Sequence, residues 1–170
     1  RLTMINAHFN VLADMSGMDK FVKECLKLEG YEVDTGFGEE KHEPSGLKAS
    51  ELSWILENGA DLPNGEIPPR QFIESTNDMF EIDNMKVSPL VVKNILYKNA
   101  DPAAQLKKIG NKQKQLMKQI MEMKIFPNPN NAPSVIRQKG RDDALIDTGT
   151  LKDSIQVWVD NKKGLGQLGG

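Results

Sequence analysis

Proline constrains this chain more than any other residue. Each proline fixes φ and removes a backbone donor, so it marks where a helix can start and where a central strand cannot run. The nine prolines all fall between residues 44 and 133. Pro63, Asn64-Gly65 and Pro68-Pro69 make 60–70 an extended excursion, because Pro68 biases Ile67, and Pro69 biases Pro68, away from helical torsions. A projecting loop is therefore expected near 60–71. Ser88-Pro89 and Asp101-Pro102 carry the opposite message, a capping side chain followed by a first-turn proline, and each predicts a helix start. The spacing gives a short helix over 72–80 and a second from Ser88 carrying Leu90, Val91, Ile95 and Leu96. A third runs from Pro102 to about Lys124 with Leu106, Ile109, Leu116, Ile120 and Met123 at helical spacing, and it is expected to be the longest element. From Phe126 to Gly140, Pro127, Pro129, Pro133 and Asn128, Asn130 and Asn131 predict an irregular arm, with the projecting region extending over 126–144.

The flanks are more regular. Leu2-Thr3-Met4-Ile5 reads as a short strand. Ser16, with Asp19 three residues on, opens a helix whose apolar stripe is Met18, Phe21, Val22, Cys25 and Leu28, and Gly30 stops it. Tyr31, Val33 and Phe37 alternate with Glu32, Asp34 and Gly36 as a half-buried strand does. Leu47, Leu52, Ile55 and Leu56 mark a helix ending near Gly59, with Trp54 and Leu56 expected to cover the sheet. Ile155, Val157 and Val159 alternate in a last strand, and the Gly-rich 161–170 is expected to be a flexible tail. The expected fold class is α+β: one domain over 1–160, with a small, mostly antiparallel β-sheet packed by helices, one long helix, and extended loops or arms.

The chain is 38% hydrophobic and 27% charged, which suits a domain with a modest core. Its longest aliphatic runs, such as Leu90-Val91-Val92, are too short to cross a membrane, and residues 2–11 lack the basic start and cleavage site of a signal peptide. Cys25 is the only cysteine, so an internal disulfide is excluded and a reducing compartment such as a cytoplasm is expected. Charge is segregated. Residues 1–97 hold 9 Lys+Arg against 17 Asp+Glu, net −8; residues 98–141 hold 10 against 2, net +8; residues 142–170 hold 3 against 5, net −2. The basic block, with Lys107, Lys108, Lys112, Lys114 and Lys118 on the long helix, implies either a polyanion or an acidic protein surface as partner, unless it simply solvates the outer face of that helix.

Asp147-Thr148-Gly149 has two possible owners. An aspartic protease needs two carboxylates sharing a proton, and Asp-Thr-Gly does recur at Asp34-Thr35-Gly36, but that copy lies within the alternating strand pattern of Tyr31 to Phe37 rather than in a turn, and the 21 residues after Gly149 leave room for one strand and a tail rather than for the rest of that fold. The structural alternative makes Asp147 or Thr148 an N-cap, Gly149 a turn residue, Leu151 a core anchor, and Ser154-Ile155 the start of the final strand. His8 and His42, the only histidines, have no metal-ligand spacing with Cys25 and are expected at a surface or in a strand. Gly36-Phe37-Gly38 lacks the third glycine of a dinucleotide loop, and no Gly-Lys-Ser/Thr phosphate loop occurs. Catalytic residues, a metal and a cofactor are all expected to be absent. The methionines, Met117, Met121 and Met123 among them, suit core filling, with an adaptable binding face as the other use.

The segment Leu145-Ile146-Asp147-Thr148-Gly149-Thr150-Leu151-Lys152-Asp153-Ser154-Ile155 resembles the C-terminal signature of tailed-bacteriophage neck and tail-completion proteins, the virion-morphogenesis or minor-tail family. Other parts follow in the family's order. Ile55-Leu56-Glu57-Asn58-Gly59 is similar to its helix with Glu-x-Gly, and Ile67-Pro68-Pro69-Arg70-Gln71-Phe72-Ile73 to its Ile-Pro-x-Arg-Pro-Phe-Leu segment, with Gln71 where a proline is usual. A long helix and a Pro/Asn loop reaching Ile136-Arg137-Gln138-Lys139-Gly140 complete the set. The resemblance implies a non-enzymatic virion protein that forms a homo-oligomeric ring, commonly a hexamer, at the head–tail junction, in the neck or as a tail terminator. Its partners would be copies of itself and the adjoining connector and tail proteins. DNA would pass through the lumen, and the site of action would be the virion after assembly in the host cytoplasm. Pro68, Pro69, Arg70, Phe72 and the 126–140 arm are then candidate contacts between subunits, as are Lys107, Lys108 and Lys112 against the acidic part of a neighbour. The alternative from composition alone is a nucleic-acid-binding protein using the basic segment 98–141.

Overall fold

The computed structural model describes residues 16–28, 30–42, 45–63, 65–140, 142, 144–145 and 149–161. The strand expected at 2–5, His8, Asp147, Thr148 and the tail beyond residue 161 lie outside them.

Two helices, α3 (Phe72–Lys98) and α4 (Pro102–Met123), pack side by side, and α4 also packs against a two-stranded antiparallel sheet of β1 (Tyr31–Phe37) and β4 (Ile155–Asn161). The expected α+β class with a small antiparallel sheet is what the chain adopts. The register pairs Val33 with Val159, Thr35 with Val157 and Phe37 with Ile155. These residues form the face toward α4, where Thr35 Oγ1 donates to the carbonyl of Gly110 at 3.3 Å. Strand alternation sends Glu32, Asp34, Trp158 and Asp160 to the other face. Gly110 allows the helix to come this close: a Cβ there would collide with Val157 Cγ1 and lie 3.0 Å from Val33 Cγ2.

α4 starts as its sequence predicts, with the Asp101 carboxylate accepting from Ala104 N at 2.8 Å and Pro102 in the first turn. α3 does not. The expected break before Pro89 is absent, and the helix runs continuously for 27 residues, which makes it longer than α4 at 22. Ser88 does not cap: its hydroxyl donates to Asn84 Oδ1 at 2.6 Å, one turn back. Pro89 leaves the Met85 carbonyl without its usual helical donor, a defect costing about 3 kcal/mol in a helix interior. Burial of Val91 and Ile95 against Ile109 of α4 offsets it.

Three other expectations are corrected. The 60–70 excursion is a hairpin of β2 (Ala60–Leu62) and β3 (Gly65–Ile67), pairing Ala60 with Ile67 and Leu62 with Gly65. In the 126–144 arm, Pro133 opens a short helix, α5 (Pro133–Lys139), as proline does at a first helical turn. On α2 (Ala49–Asn58), Leu56 packs inward but Trp54 is exposed, so only one of the pair covers core. The remaining helices are α1 (Ser16–Leu28), which packs on α3, and α6 (Thr150–Asp153).

The core is split. Around the sheet end of α4, Phe72, Met117, Ile120, Met121, Phe126, Leu145, Leu151 and Ile155 form one cluster with Ala49. Phe72 is its centre, with its ring edge-on to Phe37 at 5.8 Å and to Phe126 at 6.5 Å between centroids. The second cluster, toward the α3–α4 turn, is smaller: among the described residues its buried members are Val91, Ile95 and Ile109, with Leu28, Phe80, Val87 and Leu106 around them. Met117 and Met121 are thus core methionines, whereas Met123 is exposed.

Candidate subunit interface

Arg70, expected to reach a neighbouring subunit, instead ties this chain together. It is buried, its backbone N–H donates to Leu56 O at 2.9 Å, and its guanidinium reaches the Pro/Asn loop. Nη1 donates to Asn128 O at 2.6 Å and Asn130 O at 3.5 Å, and Nη2 to Asn131 Oδ1 at 3.3 Å. The loop answers: Asn128 Nδ2 donates to Pro69 O at 2.8 Å, and Asn131 N to Asp142 Oδ1 at 2.6 Å. Burial pushes the Arg70 guanidinium below its ordinary pKa, and the charge of Asp142 acts in the opposite direction. Nearby, the Glu57 carboxylate accepts from Ile73 N at 2.8 Å and Glu74 N at 2.9 Å, satisfying two open donors at the α3 N-terminus. Gly59 (φ 77°) brings the α2 end so close that a Cβ would sit 2.6 Å from Ile67 O. The segments quoted around Glu57, Arg70 and Asn128 are therefore far apart in sequence and adjacent in space.

Gln71 stands at φ 47°, in the left-handed region, where a pyrrolidine ring cannot go. Its backbone is thus incompatible with the proline usual in the similar motif. Phe72 faces the core, so it also belongs to the fold and not to a subunit contact. Pro68 is half-buried and Pro69 exposed.

At the other motif, Gly149 (φ 85°) precedes α6 and supplies its N-cap position. Leu151 is buried in the main cluster, and Ser154, also buried, donates from Oγ to Leu151 O at 2.8 Å. Ser154 O accepts from Gly38 N at 2.9 Å, joining the turn to β1, and the buried Ile155 begins β4. These residues do structural work. His42, expected at a surface or in a strand, is buried in a turn, with Nδ1 2.8 Å from Ser45 Oγ.

The basic block is unevenly used. Lys107 and Lys108 are exposed side by side on α4, and Lys112 is half-buried. Lys118 pairs with Asp153 at 3.7 Å and Lys124 with Asp142 at 3.7 Å. The outer face of the sheet, with Asp34 and Asp160 exposed, is acidic.

One surface was not anticipated. The outer side of α3 exposes Ile82 (64%), Met85 (72%), Leu90 and Tyr97 (76%), together with Met79 and Val92. Met85, Ser88, Pro89, Val92, Leu96 and Tyr97 line an open, mainly apolar groove of about 700 Å³, edged by Glu81 and Lys93. On α1, Met18, Phe21, Val22 and Leu26 are exposed as well. The signal was in the sequence: 79–97 is apolar on both sides of the helix, more than one partner helix can cover. An assumed helix break at Pro89 hid it by splitting the stripe.

No family model, no curated protein and no solved structure matches this chain.

Proposed function

We propose that this chain is a non-enzymatic structural subunit of a tailed bacteriophage, assembling with copies of itself into a ring at the head–tail junction in a neck, tail-completion or tail-terminator role. The observation that carries the self-assembly is the exposed apolar side of α3, since contiguous apolar surface of this kind marks interaction sites. The phage assignment rests on the ordered resemblance of 55–59, 67–73, 136–140 and 145–155, and the meeting of the first two with the Asn128–Asn131 loop at Arg70 is consistent with one co-adapted scaffold. Exposed Lys107 and Lys108, against exposed Asp34 and Asp160, offer opposite charges for a contact between successive subunits. Among the described residues, no helix is long and apolar enough to cross a membrane.

Native mass spectrometry over a concentration and salt series, with negative-stain imaging of large species, tests the proposal. Closed rings are expected. A strict monomer that binds DNA with steep salt dependence would favour the nucleic-acid reading of 98–141, although Lys118 and Lys124 are already engaged by acidic side chains.

A further inference from the structure

Along the exposed side of α3, Ile82, Met85, Pro89, Val92 and Leu96 recur at alternating intervals of three and four, the spacing of core positions in a coiled-coil seam. The first four are exposed and Leu96 is half-buried, so this seam is separate from the one formed by Val91 and Ile95 against α4. One helix thus carries two apolar edges, and α4 covers only one of them.

We propose that the outer seam of α3 packs against the same seam of a second copy of this chain, with the two helices parallel. The charges beside the seam choose both occupant and direction. Glu81 precedes a core position, and Lys86, five residues later, follows one; both are exposed. In a parallel pair such residues face each other across the interface, so Glu81 of each copy meets Lys86 of the other. In an antiparallel pair, flanking positions of the same kind meet, which sets Lys86 against Lys93, two like charges. The sequence of this helix is therefore complementary to itself in one direction only. Parallel helices paired in this way are related by a two-fold axis running along them, so the seam joins two copies and closes, and extending such pairs into a ring requires a second contact, for which exposed Lys107 and Lys108 against exposed Asp34 and Asp160 are the candidates. The inference rests on the self-assembly reading above and names its surface.

Single cysteines at Ile82→Cys, Met85→Cys and Val92→Cys, each in a Cys25→Ser background of the full chain, test it under mild oxidation. In a parallel pair each seam position lies opposite its own copy, within the Cα separation of ~4.4–6.8 Å that a disulfide requires. All three variants are expected to give covalent dimers, while Trp54→Cys, exposed on α2, gives none. Circular dichroism confirms folding, and three positions guard against the failure of any one. Cross-linking at none of the three, at one only, or equally at Trp54→Cys overturns the parallel seam. The native mass of the Cys25→Ser chain separates the two readings. An oligomer without seam cross-links overturns the seam and leaves self-assembly standing, whereas a monomer without them overturns both.

Discussion

The two ends of the α3–α4 pair differ in how completely one chain closes them. At the sheet end, Phe72, Met117, Ile120 and Ile155 are buried, and the Arg70 guanidinium donates to Asn128, Asn130 and Asn131. At the turn end, Val91 and Ile95 of α3 are buried against Ile109 of α4 while Ile82, Met85, Leu90 and Tyr97 of α3 face outward. The first end is a finished core. The second is a half-core, with apolar surface whose removal from water is worth roughly 25 cal/mol per Å² and which the described residues leave uncovered. Stability should therefore reside at one end and association at the other.

Substitutions can break that division in order of their expected effect. Phe72→Ala should cost about 3–5 kcal/mol, as large-to-small changes of buried aromatics do, whereas Met85→Ala should leave the monomer within about 0.5 kcal/mol of the parent. Urea titration of both variants under monomeric conditions checks the contrast, and equal losses would remove it. Arg70→Met should cost about 2–3 kcal/mol, because the carbonyls of Asn128 and Asn130 lose a donor while remaining partly covered. Gly110→Ala should cost about 1–3 kcal/mol through overpacking against Val157 and Val33, read as a lower midpoint in the same titration. The smallest effect on stability belongs to the surface: Lys107→Glu and Lys108→Glu, both at exposed positions, should together shift the monomer by about 0.5 kcal/mol or less while weakening association. Unchanged assembly on gel filtration would show that these lysines do not join subunits.

Local signals carried much of this architecture. The alternation in Tyr31–Phe37 and Ile155–Asn161 and the Asp101-Pro102 cap all correspond to elements that formed. What local reasoning lacked was any view across the fold. Pairing β1 with β4 joins segments more than a hundred residues apart, and no residue in either strand names its partner. Ser88-Pro89 has the chemistry of a helix start, but the contacts of Val91 and Ile95 with α4 outweighed it. Arg70 looked like a surface residue because a buried arginine is rare unless something distant satisfies it, and its acceptors come from a loop almost sixty residues later. Leu151, Ser154 and Ile155 were legible because their roles are local: an anchor, a turn and the first residue of a strand. The apolar side of α3 was visible as composition, but its exposure depended on which side α4 would take.

Sedimentation velocity on the parent chain and on Met85→Lys, over the same concentration series, tests the central claim most directly. The account predicts an oligomer for the parent, a shift toward monomer for the variant, and the same monomer melting temperature for both. A parent that stays monomeric throughout, or a variant that assembles as the parent does, would contradict it.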